Sequence, residues 1–172
     1  MIEKYLNGTK VGSGTGINFV APGASATDNG SVTTFDLSKI INVAEVALTT
    51  AEMLELRATP KTLVAAPGAG YVLEFVSAVF IYDYAAAFTE SADNIAIRYT
   101  NGSGTVVSLT LETTGLLDAT ADKVSTISPL ATDVLMTANA ALVLHNTGDG
   151  EFGGTGSPCR VKIAYRVHTT DL

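Results

Sequence analysis

One segment near the end of the sequence alternates between apolar and polar side chains with a period of two. Its apolar face holds Val161, Ile163, Tyr165 and Val167. Its other face holds Arg160, Lys162, Ala164, Arg166 and His168. Because successive side chains of a strand point to opposite faces, this pattern predicts a strand over residues 160–168 with one buried face. A sheet with one covered face and one open or partner-covered face is typical of antiparallel pairing.

Further strands are predicted from shorter apolar runs bounded by turn residues. One begins near Ile40–Leu48, and the others are Lys61–Ala66, Tyr71–Tyr84, Asn94–Tyr99, Thr105–Glu112 and Ala140–His145. The sequence Asn-Gly-Ser-Gly at 101–104 separates two of them, and its glycines allow the positive φ values of a hairpin turn. Many short strands with frequent turns predict an all-β fold, and we expect an antiparallel β-sandwich of the jelly-roll kind.

A single short helix is predicted between the first two of these strands. Thr49 is its N-cap, and Glu52, three residues later, completes a capping box. Met53, Leu54 and Leu56 give the helix an apolar side. We expect Pro60 to end it, because the residue before a proline disfavours helical backbone.

The first forty residues differ in composition from the rest. Glycine recurs among Ser, Thr and Asn, and the apolar residues form neither a helical stripe nor a sustained alternation. Such a segment is a flexible tail or an arm that orders on a partner. We expect an extended N-terminal arm over residues 1–40 and a β-sandwich domain over residues 41–172. The side chains expected to anchor the arm on another chain are Phe19, Val20, Phe35 and Leu37.

The composition argues for a protein whose surface is partly covered. Hydrophobic residues make up 47% of the chain and charged residues only 16%, with a net charge of -7. Low charge density suits contact with other copies or with another protein. The 10 basic residues are scattered, whereas binding to nucleic acid needs them clustered, so we expect no nucleic-acid partner. The apolar stretch around Tyr71–Ala87 is interrupted by polar residues, and we expect no membrane partner.

Several residues are candidates for a chemical role. The lone Cys159 can form no intrachain disulfide and is expected to be a small buried group. His145 and His168 could meet if their strands pair. The carboxylates of Asp83, Glu90 and Asp93 could in principle support glycoside hydrolysis if two of them were suitably spaced.

For all of these groups we favour an ordinary structural or surface role over a chemical one. Asp149 and Glu151 lie in a glycine-rich loop that has no EF-hand spacing, so we expect a mobile rim loop and no cation site. We therefore assign no catalytic, cofactor-binding or metal-binding residue. The densest aromatic group lies around Tyr82 and Tyr84, and it is expected to form core and rim packing or a subunit contact. If this aromatic group forms a subunit contact, Tyr82 and Tyr84 are the predicted contact residues.

The region from Leu48 to Glu112 resembles a family of small tailed-phage virion proteins. The resemblance is carried by the motifs LTTAE, LRATP, LV and APGAG in that order, and by YDY and IAIRY. It implies a non-enzymatic virion structural protein assembled in the host bacterial cytoplasm. Within that setting we expect a capsid decoration (cement) protein that is a homotrimer, needs no cofactor and binds the major capsid protein. The alternatives are a tail, baseplate or fibre-associated module that binds a host surface and, in another class, a jelly-roll carbohydrate-active enzyme.

Overall fold

The computed structural model describes residues 2–6, 9–14, 25–28, 33–36, 40–89 and 94–170. The chain divides into two compact units, Met1–Ile40 and Ile41–Leu172. The division falls where the composition of the sequence changes.

The first unit contains two antiparallel hairpins. Its strands are β1 (Ile2–Leu6), β2 (Thr9–Gly14), β3 (Ser25–Asp28) and β4 (Thr33–Asp36), with β1 paired to β2 and β3 paired to β4. The sequence predicted an extended arm over residues 1–40 and specified no strands within it. Leu6 pairs with Thr9, so only Asn7 and Gly8 separate β1 from β2 in sequence.

The predicted anchors of this unit are only partly placed. Phe35 lies on β4 opposite Ala26. Phe19, Val20 and Leu37 lie outside the described residues. Their contact with another chain stays a prediction.

The second unit is built from two four-stranded sheets. Its elements are β5 (Asn42–Leu48), α1 (Thr50–Leu54), β6 (Lys61–Val64), β7 (Tyr71–Tyr82), β8 (Phe88–Thr89), β9 (Asn94–Tyr99), β10 (Leu111–Glu112), β11 (Lys123–Ile127), β12 (Leu142–Asn146), β13 (Gly153–Gly154) and β14 (Cys159–Thr169). The first sheet has the order β10-β9-β12-β6 and the second has the order β11-β7-β14-β5. Strands β8 and β13 form a small separate ribbon. The predicted all-β class, with antiparallel sheets and one short helix, is confirmed.

The strands of the two sheets pair in a nested way. β5 pairs with β14, β6 with β12, β7 with β11, and β9 with β10, all antiparallel. Among these eight strands, the first therefore pairs with the last, the second with the seventh, the third with the sixth and the fourth with the fifth.

One hydrophobic cluster takes side chains from both sheets. Its fully buried members include Phe80, Ile95, Ile97, Leu142, Leu144, Val161 and Ile163. Burying one such side chain contributes about 1.5–3 kcal/mol. The alternation predicted for the last strand is confirmed over residues 161–163, because Val161 and Ile163 are buried while Lys162 between them is exposed. Residues 164–168 are all partly buried, so burial does not separate the two predicted faces there.

The capping box at the helix is confirmed. The Thr49 hydroxyl accepts a hydrogen bond from the Glu52 amide at 3.3 Å, and the Glu52 carboxylate accepts one from the Thr49 amide at 2.8 Å. Met53 and Leu56 are fully buried. Pro60 does not end this helix, because the backbone already leaves helical geometry at Glu55, with φ -118° and ψ 16°.

Two other local predictions need correction. Of the strand expected over Thr105–Glu112, only Leu111–Glu112 is a strand. One cause is that the Ser108 hydroxyl accepts a hydrogen bond from the Ile97 amide at 2.9 Å, in place of a main-chain carbonyl. Strand β11 was not predicted at all. Its outward-facing Val124 and inward-facing Ser125 blur the alternation that would have revealed it.

Candidate functional site

The broadest feature of the second unit is the face of the β11-β7-β14-β5 sheet that points away from the hydrophobic cluster. We call it the outer sheet face. One row across it holds Val124, Ile81, Arg160 and Ala47, and the next holds Thr126, Val79, Lys162 and Glu45. Directly opposite residues of antiparallel strands point to the same side, so each row is a line of neighbouring side chains.

Apolar side chains reach solvent at both edges of the outer sheet face. Val43 on the edge strand β5 is 70% exposed, and Val124 on the edge strand β11 is 68% exposed. Both valines lie on outermost strands of this four-stranded sheet, and in the described part of the chain no further strand of the sheet pairs with the outer edges of these strands. Exposed β-branched side chains on an edge strand favour contact with another chain, unless charges block the approach.

The charges between these edges neutralise one another. The Arg160 Nε and Nη2 atoms donate to the two Asp83 carboxylate oxygens at 2.8 and 3.0 Å. Glu45 pairs with both Arg160 and Lys162, each at 3.3 Å. Hydrogen bonding from Arg160 holds the pKa of Asp83 below its ordinary value, and Lys162 followed by Arg160 does the same to the pKa of Glu45. These two acids and two bases sum to zero charge, so this part of the face places no net charge against a partner.

A second ion-pair group lies on the same face beyond a β-bulge. Glu74 accepts from Arg166 Nη1 at 2.9 and 3.1 Å, and its Oε2 lies 2.7 Å from His168 Nε2. The register shifts between Ala164 and Tyr165, which brings Glu74 opposite Arg166. Burial alone would raise the pKa of Glu74, but hydrogen bonds from His168 and Arg166 outweigh it and lower that pKa.

The two predicted tyrosine contacts have different environments. Tyr82 is fully buried, and its hydroxyl donates to the Ala86 carbonyl at 2.8 Å. Its ring packs against Phe88, with the ring centroids 6.4 Å apart. Tyr82 is therefore a core residue, and we do not retain it as a contact with another chain. Tyr84 is 40% exposed, and its role as a contact stays a prediction.

The residues weighed for catalysis do not come together. His145 lies on β12 and His168 on β14, and these strands belong to different sheets. Asp83 is held by Arg160, while Glu90 and Asp93 lie outside the described residues. Cys159 is fully buried, and burial followed by the nearby Asp83 raises the pKa of its thiol to about 12. A thiol with so high a pKa is a poor nucleophile, which agrees with its predicted role as a small core group.

The glycine-rich loop at 148–156 has a structural role that the sequence did not reveal. The Glu151 carboxylate accepts hydrogen bonds from the amides of Arg57 and Ala58 at 2.9 and 2.7 Å. This acid therefore anchors the segment that follows α1. Among the residues that the structure describes, no group of three or more His, Cys, Asp and Glu side chains is placed to hold a metal ion. Within the same residues, no helix combines the length and the apolar character that crossing a bilayer requires.

A polar cavity of about 520 Å³ lies against the first sheet. We call it the basic cavity, because Arg57, Arg98 and His145 contribute to its lining. His145 is only 7% exposed. Desolvation lowers the pKa of His145 below its ordinary value, and the charges of Arg98 and Arg57 add to this effect, while hydrogen bonding to the Arg57 backbone and the charge of Glu151 oppose it.

The lowered pKa of His145 predicts a pH dependence of stability. The unfolded chain binds a proton at His145 near pH 6.5, and the folded chain binds it only at lower pH. Below 6.5 the unfolded state therefore holds more protons, and the free energy of unfolding falls as the pH falls towards the folded pKa. We expect urea denaturation between about pH 7.5 and pH 5 to show this loss, and His145→Gln to reduce it. An unchanged pH dependence in that variant would contradict the assignment.

Comparison with known proteins finds no significant match. No family model matches it, no curated protein is significantly similar to it in sequence, and no solved structure is significantly similar to it in fold. Its function therefore has to be argued from its own surfaces and cavities.

Proposed function

We propose that the second unit is a β-sandwich of jelly-roll topology. The nested pairing of eight strands into sheets of order 1-8-3-6 and 2-7-4-5, in their own numbering, supports this assignment. The shared hydrophobic cluster supports the packing of the two sheets on each other. Jelly rolls occur in viral capsid proteins, lectins and cupins, so the topology admits a virion role without requiring it.

Within that fold, we propose a non-enzymatic virion structural protein, namely a capsid decoration protein that binds the major capsid protein. The outer sheet face is the observation that carries this proposal. It combines exposed valines at both edges with a charge cluster that is neutral by itself. The resemblance of the motifs between Leu48 and Glu112 to those of small tailed-phage virion proteins motivates the choice of a virion setting.

The proposed mechanism is mechanical. Apolar contact on the outer sheet face removes the exposed valines from water. The charged side chains of this face are already paired with one another, so the contact buries no unpaired charge. As a homotrimer, the protein offers three such faces to neighbouring capsid subunits. Each contact is modest, and their combination strengthens attachment because the second and third contacts form within one assembly.

This proposal predicts a large loss of particle binding when charge is placed on the outer sheet face. We expect the double variant Val43→Glu, Val124→Glu to fold, because both side chains are largely exposed, and to lower occupancy on particles by more than about tenfold. Occupancy is measured from the protein content of purified particles, after circular dichroism has shown that the variant is folded. Light scattering of the free protein tests the trimer.

Leu135→Glu is the matched control, because Leu135 is 78% exposed and lies outside the outer sheet face. Its occupancy should equal that of the unchanged chain. Equal losses in both variants would show that added negative charge acts nonspecifically. Full occupancy of the double variant would refute the outer sheet face as the capsid contact, and a location on the tail in a cryo-EM map would refute the decoration role.

A further inference from the structure

The basic cavity brings together groups from three distant parts of the chain. Arg98 on β9 and His145 on β12 lie on neighbouring strands, with Arg98 opposite Val143 and His145 opposite Ala96. Both point away from the hydrophobic cluster, because Ile97 and Leu144 beside them point into it. Arg57 reaches the cavity from the segment after α1, which Glu151 holds in place through two amide hydrogen bonds.

The lining of this cavity contains polar atoms without partners. In the part of the chain that the structure describes, the buried side-chain nitrogens that lack a hydrogen-bond partner are Arg98 Nε and His145 Nδ1. Both residues line the same cavity. Leaving a buried donor unpaired is costly, and native proteins rarely do so without a functional reason. The two atoms are shielded from solvent, so they mark Arg98 and His145 as polar side chains beside the cavity whose hydrogen bonding the fold itself leaves incomplete.

The loop after β9 closes tightly onto the imidazole. A Cβ atom on Gly102 would lie 2.5 Å from His145 Nε2, so the observed approach of the loop needs glycine here. The loop is itself ordered, because the Ser103 amide donates to the Asn101 side-chain oxygen at 2.9 Å. The Arg98 Nη1 atom donates to the Gly104 carbonyl at 3.1 Å, which fixes the guanidinium against the same loop. The cavity is therefore built by specific contacts.

The charge of the cavity is opposite to that of the whole chain. The chain carries a net charge of -7, yet two guanidinium groups and an imidazole converge here. The nearby carboxylate, that of Glu151, accepts two backbone hydrogen bonds and is oriented towards them. Guanidinium groups match the oxygen geometry of carboxylates and phosphates. The two arginines and the Glu151 carboxylate leave a net charge of +1, which favours an anion, and the several oxygens of a phosphate group can accept hydrogen bonds from both guanidinium groups and the imidazole.

We propose that the basic cavity is a binding site for an oxyanion of the phosphate class, held by Arg57, Arg98 and His145. Arg98 and Arg57 supply the charge, and His145 supplies a hydrogen-bond donor that becomes cationic when an anion is bound beside it. The site is separate from the outer sheet face, so its test does not depend on whether the proposed capsid contact is correct.

The first test is isothermal titration calorimetry of the full chain with inorganic phosphate at constant ionic strength in chloride. We expect saturable binding, and we expect Arg57→Gln to weaken it by about tenfold or more, since a charge-assisted contact is lost. Arg57 is exposed, so this variant should fold. Lys123→Gln removes the same charge from an exposed position on β11 and should leave the affinity unchanged.

The second test reads the imidazole directly. The chain has 2 histidines, so two imidazole signals are expected in a nitrogen-edited NMR titration. Phosphate should raise the pKa of His145, because a bound anion favours the charged ring, and should leave His168 in the other sheet as an internal reference. This measurement also separates binding from a general salt effect. Phosphate stabilises folded proteins because it is excluded from their surface, and that effect does not act on one particular residue.

A phosphate monoester tests whether the ligand of the basic cavity is free phosphate or a phosphorylated small molecule. Glycerol 2-phosphate that binds more tightly than inorganic phosphate supports the site and assigns it to a phosphorylated small molecule. Weaker binding of the monoester supports the site for the free ion. The proposal is overturned if phosphate leaves the His145 signal unmoved. It is equally overturned if Arg57→Gln binds phosphate as the unchanged chain does.

Discussion

Gly156→Ala should destabilise the chain by about 2–5 kcal/mol. The backbone at Gly156 has φ +56°, where an L-residue with a side chain costs about 1–2 kcal/mol. A Cβ atom there would also lie 2.1 Å from Cε1 of Phe88. That ring is buried against Tyr82 and Phe152, so it cannot swing aside, and overpacking of this kind adds about 1–3 kcal/mol. Urea denaturation of the purified chain measures the loss.

Gly115→Ala is the matched control for this change. Gly115 has φ +77°, but a Cβ atom there would meet nothing within 4 Å. It should therefore lose only the conformational part, about 1–2 kcal/mol. The entropy that alanine removes from the unfolded chain is common to both variants. If the two variants were equally stable, the contact between residue 156 and the Phe88 ring would be wrong.

Ser157→Ala should cost about 2–4 kcal/mol, because one buried hydroxyl serves three backbone groups. Ser157 is fully buried, and its Oγ accepts from the amides of Ala85 and Ala86 at 2.8 and 2.9 Å. The same hydroxyl lies 2.6 Å from the Ala86 carbonyl, to which it donates. Alanine removes all three hydrogen bonds and leaves the amides of Ala85 and Ala86 without this acceptor, so that only water could replace it.

Ser125→Ala is a suitable comparison for the serine change, because Ser125 is partly exposed on β11. Its free energy of unfolding should change by less than about 0.5 kcal/mol. Thermal or urea unfolding of both variants decides the matter. A loss at Ser157 no larger than that at Ser125 would mean that water replaces the hydroxyl, and that the turn after β7 does not depend on it.

Local signals in the sequence predicted the local structure well. The spacing of Thr49 and Glu52 predicted a capping box, since both partners of those hydrogen bonds lie within one turn. The alternation after Arg160 predicted a half-buried strand, because each residue of β14 keeps its side of the sheet. These patterns depend only on near neighbours, so a single sequence carries them.

Features that depend on distant neighbours were not predictable. The basic cavity needs Arg57, Arg98 and His145 to meet, and each was unremarkable in its own segment. Tyr82 was taken for a contact residue because aromatic density does not tell which side of a strand faces the core. The strand pairs of the first unit were not predicted, because the sparse apolar residues of that segment show no sustained alternation. In each case the missing information was the pairing of strands.

The nested pairing of strands also has a consequence for the order in which the protein can be made. β14 lies between β5 and β7 in its sheet, yet among the described strands it leaves the ribosome last. Until it arrives, β5 has no neighbour and β7 exposes the edge that β14 will cover. The sheet therefore cannot close until β14 has been synthesised. Because nearly every pairing joins segments far apart in sequence, closure should be slow, on the order of milliseconds to seconds.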